Sequence, residues 1–274
     1  MLNLREIYKP TTLANALKLL QQPGTVALAG GTALNADARR DVNAVVDLSL
    51  LGLAYIRESN GTIAIGATTK LAELAESPIL RAMANGIVSQ AAHRSTSNIL
   101  RNQASVVGTL ISEPDGVLSV ALLALDAHIT IVRKESRTVS LTDVLAMREH
   151  LLMMALVTEI MIPMTNPHAS LQTVARTPSD KPIVSVVATA KIENGIAHDV
   201  RIALGGVSEY ALRANALEKT LEGKSLKDAL IEKAASDAAE GLSPVEDFRG
   251  SAEYRREMAV VLTRRAVREL LPAQ

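Results

Sequence analysis

The sequence predicts an α+β protein with two parts, a larger domain over residues 1–165 and a smaller α+β domain over residues 166–274. In the first part, short apolar runs that end in glycine alternate with helical patterns. In the second part, strand patterns come first and helical patterns follow. Because apolar residues make up 48% of the 274 residues, the chain has enough material for packed cores and is predicted to be globular.

The first subdomain, about residues 1–55, reads as helix, strand, turn and strand. An apolar stripe at helical spacing from Leu13 to Leu20 predicts a helix. The run 26–29 predicts a short buried strand, and Gly30-Gly31-Thr32 is the turn that follows it. The run 45–48 predicts a second strand of a compact α+β unit.

The second subdomain, about residues 56–165, begins with a strand pattern at 62–65. Ser77 and Pro78 are a typical cap and first residue of a helix, which we expect to run to about Ala92. Residues 93–116 are polar and predict a long loop, and long loops in compact domains are often functional. A buried helix at 118–125 and a strand at 128–132 complete this part.

The C-terminal domain is predicted to begin near Asn166-Pro167. Runs 183–192 and 200–204 have the composition of strands. Three helical patterns follow, at 211–221, 226–239 and 252–271. The arginine pairs Arg255-Arg256 and Arg264-Arg265 are expected on the solvated face of the last helix.

Composition excludes several classes of function. There is no cysteine, which excludes disulfides, thiol catalysis and thiolate-bound iron–sulfur clusters in this chain. None of the five histidines lies at metal-ligand spacing from another, so we expect no zinc site. Lys and Arg balance Asp and Glu at 29 each, and Trp is absent, so we expect no nucleic-acid partner.

The apolar runs are too short to span a bilayer, and the N-terminus lacks the basic-then-apolar order of a signal peptide. We therefore expect no membrane partner and a cytoplasmic location.

Two glycine-containing loops are the candidate binding elements. In the first, Ala29–Leu34, paired glycines after a strand allow main-chain N–H groups to face outward, where a pyrophosphate can approach them. In the second, Arg101 and Asn102 offer side-chain donors and Gly108 offers main-chain donors. Each loop alone is better explained by an ordinary turn.

Together with further motifs in the same order, the loops resemble the flavin-binding subunits of molybdenum hydroxylases, the family of xanthine dehydrogenase and carbon monoxide dehydrogenase. The family's Ala-Gly-Gly-x-Ser-Leu corresponds to Ala29–Leu34, and its Arg-Asn-x-Ala-Thr-Ile-Gly-Gly-Asn corresponds to Arg101–Thr109. The resemblance covers essentially the whole chain. Further matches lie at Val46–Leu48, Ile65–Thr69, Leu122–Ala127, Arg201–Val207, Ser251–Arg256 and Arg264–Ala266.

The resemblance implies a PCMH-type FAD-binding domain followed by a C-terminal flavoprotein-subunit domain, and noncovalent FAD. The first loop would hold the pyrophosphate, Gly66 and Thr69 would lie on the nucleotide side, and Leu151 or Leu152 would pack near the ring system. The residues Ser105, Val106, Gly108 and Thr109 would form a second flavin-contacting strand-turn. The implied cofactor-binding set is Ala29, Gly30, Gly31, Thr32, Ala33, Leu34, Gly66, Thr69, Arg101, Asn102, Ser105, Val106, Gly108, Thr109, Asp115 and Leu152.

Four departures from the family pattern bear on this implied site. Val107 replaces a glycine, which is costly if that position needs a positive φ, and Thr109 replaces an asparagine. Val117 stands where the family has a ribose-binding aspartate, and Asp115 is equally well explained as its substitute or as a turn residue. Gln172 falls near a flavin-adjacent lysine of related dehydrogenases.

The resemblance also implies partners, a small subunit with [2Fe-2S] clusters and a large subunit with molybdopterin, in a possible dimer of heterotrimers. Electrons would pass from the clusters through FAD to NAD or another acceptor, and no residue of this chain would act as a catalytic acid or base. The departures keep open a flavin-free scaffold that docks the other subunits. A stand-alone flavin oxidase ranks third, and the organic substrate is not encoded in this chain.

Overall fold

The computed structural model describes residues 4–36, 41–177 and 180–271, so the outermost residues of both predicted domains lie outside it. The described residues form three sheets, each with its own helices. No single described helix is long and apolar enough to cross a bilayer; only Val106–Ser112 with Val117–Ala124 pass that test together, and they are bent by 105°.

The N-terminal sheet is parallel and has the strand order β1-β3-β2. Its helix α1 begins after Thr12, whose hydroxyl accepts a hydrogen bond from the amide of Asn15. Ala16 and Val46 pack with Leu48 and Leu156 in a small core. The predicted helix, strands and glycine turn are confirmed. The elements are β1 Glu6–Tyr8, α1 Leu13–Leu19, β2 Thr25–Leu28, α2 Thr32–Ala36 and β3 Ala44–Asp47.

The middle sheet is antiparallel, with the order β4-β5-β8-β6-β7, and helices cover the core on one side of it. Its strands are β4 Ile56–Ser59, β5 Thr62–Gly66, β6 His128–Val132, β7 Ser136–Ser140 and β8 Leu156–Pro163. Its helices are α3 Leu71–Glu76, α4 Pro78–Ala82, α5 Ile87–Ser95, α6 Asn98–Arg101, α7 Val106–Ser112, α8 Val117–Ala124, α9 Leu141–Ala146 and α10 Arg148–Leu152.

Two predictions for this part were wrong. The helix expected over 77–92 is broken into α4 and α5, because Ala84, Asn85 and Gly86 all have positive φ. The break is held by long-range hydrogen bonds: the amide of Ala84 donates to the side chain of Asn166, and the side chain of Asn85 donates to the carbonyl of Ala169. The loop expected over 93–116 contains the short helices α6 and α7.

The C-terminal sheet is antiparallel, with the order β12-β11-β10-β9 and β13 paired to β11. The predicted strands are confirmed, and β11 is longer than expected. The helix expected from residue 211 begins at Asn215, because Leu212 and Arg213 pair with β11. The elements are β9 His168–Val174, β10 Val184–Glu193, β11 Ile196–Gly205, β12 Leu212–Arg213, α11 Asn215–Leu221, β13 Lys224–Ser225, α12 Asp228–Glu240 and α13 Ala252–Arg268.

Strand β10 is buried on both faces and packs against both the middle part and the C-terminal helices. Val186 and Ala188 face the core formed with the C-terminal helices, whereas Val187 faces the middle core. Helix α8, buried along its whole length, packs on this second face, and the hydroxyl of Thr189 donates to the carbonyl of Ala124 at 3.2 Å. The C-terminal sheet is therefore fixed against the middle part, and the elements between them can form a defined cleft.

Candidate functional site

The first glycine turn connects β2 to α2. Gly31 has φ of +72°, a conformation that glycine adopts without steric cost. Among the residues that the structure describes, the amides of Gly31, Thr32 and Ala33 donate to no protein oxygen. A left-handed residue next to right-handed ones points successive N–H groups toward one spot, which is the arrangement that binds anions. Within the described part of the chain, this turn therefore offers main-chain donors that no backbone oxygen occupies.

The second loop is a helix start, so the predicted strand-turn at Ser105–Thr109 was wrong. The hydroxyl of Ser105 caps α7 by accepting from the amide of Gly108 at 3.2 Å. Val107 lies inside the helix with negative φ and is only 7% exposed, so its replacement of glycine carries no backbone strain. Gly108 is exposed and faces the cleft described below. Helix formation thus removes the conflict that Val107 raised.

The two loops are in direct contact. A Cβ built on Gly30 would lie 2.1 Å from the carbonyl oxygen of Gln103 and 3.0 Å from the Cα of Ala104. Only glycine allows the first turn to approach the second loop this closely. The convergence that the paired motifs predict is present in the fold.

Between the loops lies a cleft of about 590 Å³, here called the near chamber. Its lining includes the complete first turn from Ala29 to Leu34, and Ser105, Val107 and Gly108 lie opposite. No charged residue lines this chamber within the described part of the chain. A volume of a few hundred Å³ with mainly apolar walls and few polar groups is typical of a small-molecule or cofactor site.

A second cleft of about 740 Å³, here called the far chamber, continues from the first. Ile111, Ser112 and Leu152 line both chambers, so the two adjoin, and together they are here called the elongated cleft. The far chamber differs in its charge. Its charged lining residues are Asp115, Arg148, Glu149, Glu209, Asp247, Arg249 and Arg255.

Arg255 organises the C-terminal wall of the far chamber. Its guanidinium donates to the carbonyls of Ile183 and Gly206 at 2.8 and 2.9 Å and to a carboxylate oxygen of Asp247 at 2.7 Å. It is only 2% exposed, so the prediction that it lies on a solvated helix face was wrong. Burial of the charge is compensated because each interaction is a hydrogen bond to an oxygen.

Asp247 completes this wall. A hydrogen bond from the side chain of Arg249 holds the pKa of the Asp247 carboxyl well below its usual value, and the nearby charge of Arg255 adds to the effect. The carboxylate is therefore ionised at neutral pH, and it pairs with both guanidinium groups. The turn from Asp247 to Gly250 is closed by main-chain hydrogen bonds.

Asp115 lies at the far chamber and is paired with Lys181 at 3.4 Å. Lys181 also lies 3.7 Å from Glu113. Burial raises the pKa of Glu113, although the charge of Lys181 opposes the shift. Asp115 thus has a structural partner as well as access to the cleft.

Several predicted residues lie outside the lining of both chambers. The hydroxyl of Thr69 bonds to the main chain of Tyr55, and a Cβ on Gly66 would lie 2.3 Å from the carbonyl of Leu53. Arg101 donates to the carbonyls of His93 and Thr96. These contacts explain the residue types without a cofactor. Gly66, Thr69, Arg101, Asn102, Val106 and Thr109 are not part of the lining.

The remaining assignments separate clearly. Leu152 lines both chambers, whereas Leu151 is buried in the middle core. Val117 is buried at the start of α8 and cannot reach a ligand. The side-chain amide of Gln172 donates to Ser170. Of the two leucines considered, Leu152 is the one at the cleft.

Sequence reasoning missed most of the far chamber. Its residues come from α10, from the turns after β11 and before α13, and from α13 itself. No local sequence motif predicts that these segments lie close together. The match at Ser251–Arg256 was a usable signal for Arg255, but its charge was interpreted as surface charge.

Among the described residues no cluster of His, Asp or Glu could hold a metal ion. The cleft does fit a dinucleotide cofactor: it is elongated, and at Gly30 and Gly31 a Cβ would obstruct the main chain or strain it. It also offers main-chain amide donors for phosphate oxygens beside apolar walls.

Comparison with known proteins agrees with this geometry. Residues 3–165 match the family model described as "FAD binding domain in molybdopterin dehydrogenase", and residues 169–270 match "CO dehydrogenase flavoprotein C-terminal domain".

Among curated proteins, the glyceraldehyde dehydrogenase medium chain of Sulfolobus acidocaldarius is 29% identical, over 94% of this chain and 95% of the relative. The 6-hydroxypseudooxynicotine dehydrogenase complex subunit alpha of Paenarthrobacter nicotinovorans is 31% identical, over 95% of this chain and 92% of the relative. A chain of the solved carbon monoxide dehydrogenase from Hydrogenophaga pseudoflava superimposes with a TM-score of 0.88 at 25% identity, covering 97% of this chain and 96% of that chain.

Proposed function

The chain belongs to the FAD-binding subunits of the molybdenum hydroxylase family, and from this premise we propose that it relays electrons through FAD bound noncovalently in the elongated cleft. The electrons would come from [2Fe-2S] clusters of a partner subunit and leave to NAD or another acceptor. Molybdopterin and the iron–sulfur clusters belong to the partner subunits of such complexes. This chain supplies the binding site for the flavin.

The contact between the first turn and the second loop carries this proposal. Gly30 meets the main chain of Gln103 and Ala104, so the free amides of the first turn lie beside the capped start of α7. Two main-chain elements that converge without charged side chains suit a pyrophosphate, whose oxygens accept hydrogen bonds from N–H groups. The family's cofactor and the geometry point to the same place.

Several residues that line the cleft then have a role in binding the cofactor. The first turn would hold phosphate oxygens through the amides of Gly31, Thr32 and Ala33, with the hydroxyl of Thr32 beside them. Ser105 keeps the second loop in place through its cap, and Gly108 leaves space at the cleft wall. The apolar side chains of Leu34 and Leu152 exclude water from the bound group. When bound, FAD supplies the redox chemistry, and the protein supplies orientation and electrostatics.

The domain division at residue 166 is part of the proposal, and the ranges of the two family models support it. Medium chains among the relatives support partners of the small and large type. NAD as acceptor, a xanthine dehydrogenase-like reaction, a dimer of heterotrimers and a cytoplasmic location stay predictions.

The flavin-free scaffold gains no support. It was motivated by Val107, Val117 and Gln172, of which only Val107 lies at the cleft, and there as a buried helical residue. The stand-alone oxidase is disfavoured because the C-terminal part matches a flavoprotein domain of the same family along most of its length.

Calorimetric titration of the purified chain with FAD tests the proposal, with a visible spectrum recorded on the product. We expect a submicromolar Kd and a structured flavin absorption band. FMN, which lacks the adenylate half and the pyrophosphate link, should bind at least tenfold more weakly. A folded chain that binds neither would refute the proposal, and equal affinities for both would refute the role of the first turn.

A further inference from the structure

A short turn separates the two chambers on one side of the cleft. It runs from Leu152 at the end of α10 to Ala155 just before β8, and the amide of Ala155 donates to the carbonyl of Leu152 at 3.2 Å. Met153 lines the far chamber and Met154 lines the near chamber. An elongated ligand that occupies both chambers must pass this turn.

The main-chain angles of this turn favour glycine at its third position, but the residue there is Met154. Met153 has φ of −61° and ψ of 121°, and Met154 has φ of +52°. With the closing hydrogen bond, these angles define a type II β-turn, in which the third position strongly favours glycine or asparagine. A methionine there is strained, and strained residues that persist are concentrated at ligand clamps and active sites.

The methionine pair is exposed, which the fold alone does not explain. Each side chain is 58% exposed, and neither belongs to a hydrophobic core. A flexible, polarisable side chain such as methionine adapts to an apolar surface that is presented to it. The pair lies along the cleft, where an apolar part of a bound cofactor would supply that surface.

Arg133 holds the turn from outside. It lies just after β6, and its guanidinium donates to the carbonyl of His150 at 3.0 Å and to the carbonyl of Met153. These bonds fasten the end of α10 and the first half of the turn. A planar guanidinium can satisfy two carbonyls at once, which a lysine ammonium does with less directional precision.

We propose that Met153 and Met154 form an apolar clamp across the middle of the cleft, and that Arg133 is the positioning residue that keeps the clamp in place. The clamp contacts the bound dinucleotide between its two ends and slows its release. This inference rests on the proposed function, because it names residues that retain the same cofactor.

The substitution Met154→Gly separates ligand contact from folding. Glycine relieves the strain of the positive φ, so the apo protein should melt at the same temperature or higher. It also removes the side chain that lines the near chamber, so FAD should dissociate at least tenfold faster. The matched control is Asn194→Gly, at φ of +51° in the hairpin between β10 and β11, which should leave FAD release unchanged.

Arg133→Ala tests the positioning role, with release measured by stopped-flow recovery of flavin fluorescence. We expect release to accelerate several-fold while the melting temperature of the apo chain changes little, and Arg133→Lys should restore part of the difference. The control is Arg137→Ala. Arg137 is an exposed arginine on β7, the strand that follows Arg133, and this variant should behave like the wild type.

The outcomes distinguish the inference from the function on which it rests. If the wild type binds FAD and Met154→Gly releases it at the wild-type rate, the clamp is refuted and the proposed function stands. If Met154→Gly lowers the melting temperature as well as the affinity, the methionine has a structural role and the clamp is also refuted. If the wild type binds no FAD, the proposed function itself fails.

Discussion

The near and far chambers are two halves of one cleft, and their lining residues differ in chemistry. The near chamber is lined by main chain and uncharged side chains, with a glycine turn on one wall and a capped helix on the other. The far chamber is lined by charged side chains from separate segments, of which Asp247, Arg249 and Arg255 are paired with one another or with main-chain carbonyls. The near chamber depends on glycines, which have no Cβ atom, and the far chamber depends on ion pairs.

This difference predicts how each half fails. A main-chain site is sensitive to added atoms and insensitive to charge, whereas an ion-paired wall is sensitive to the loss of any one partner. In the proposed mode of binding, the charged chamber would place fixed charges beside one end of the cofactor, where they would influence its electronics. Substitutions in the two halves should therefore change stability and cofactor affinity in different proportions.

Arg255→Ala should have the largest effect on stability. It leaves the carbonyls of Ile183 and Gly206 without this donor and leaves the carboxylate of Asp247 paired with Arg249 alone. Removal of one partner from a buried charged network costs about 3–5 kcal/mol. Urea denaturation of the apo chain measures the loss. A change below about 1 kcal/mol would show that the far wall does not depend on this residue.

Gly30→Ala should have the next largest effect on stability and the largest effect on FAD affinity. The new Cβ would meet the carbonyl of Gln103, and forced separation of packed main chain costs about 1–3 kcal/mol. FAD affinity measured by calorimetry should fall at least a hundredfold, about 2.7 kcal/mol. Gly241→Ala is the matched control, because no atom lies within 4 Å of the added carbon. Unchanged affinity in the Gly30 variant would contradict the main-chain site.

Asp247→Asn should destabilise the far wall in a pH-dependent way. At pH 7 the loss should be about 1.5–3 kcal/mol, the typical worth of a hydrogen bond to a charged group. Since the folded pKa of Asp247 is lowered, its stabilisation is present above the unfolded pKa of about 3.9 and is lost as pH falls toward the folded value. The difference between wild type and variant should shrink from pH 5 to pH 3 in chemical denaturation. A difference that stays constant with pH would contradict this assignment.

Gly108→Ala should have the smallest effect on stability. Alanine favours the helix by about 1 kcal/mol, and displacement of the Ser105 cap costs about 1 kcal/mol. The added Cβ meets only the hydroxyl of Ser105, at 2.7 Å, and otherwise projects from the exposed face of α7. Thermal melting should therefore change little, while FAD affinity falls about tenfold, or about 1.4 kcal/mol. A large stability loss without loss of affinity would reverse the comparison.

The near chamber was predictable because its signal is local. A strand that ends in Gly30-Gly31 announces a main-chain turn, and the matched order of motifs placed Gly108 opposite it. The helical start at Ser105 was missed, although Ser105 is a good cap and a hydrophobic pair follows it. The glycine of that loop suggested a positive φ that the structure does not contain.

The far chamber was not predictable because its signal is tertiary. Arg148 and Arg255 lie about a hundred residues apart in the sequence, and the packing of α8 on β10 and β11 brings their segments together. Burial of Arg255 depends on four oxygens that accept from its side chain, those of Ile183, Gly206, Asp247 and Gly250. The break between α4 and α5 has the same origin, because the residues that hold it are Asn166 and Ala169.

Hydrogen exchange of the chain with and without FAD, read by mass spectrometry on peptides that cover both loops, tests the central claim most directly. The account predicts that FAD slows exchange at the amides of Gly31, Thr32 and Ala33 and in the Ser105–Ser112 segment at the same ligand concentration. A folded, FAD-saturated chain in which the Gly31–Ala33 amides exchange as fast as in the apo protein would contradict it.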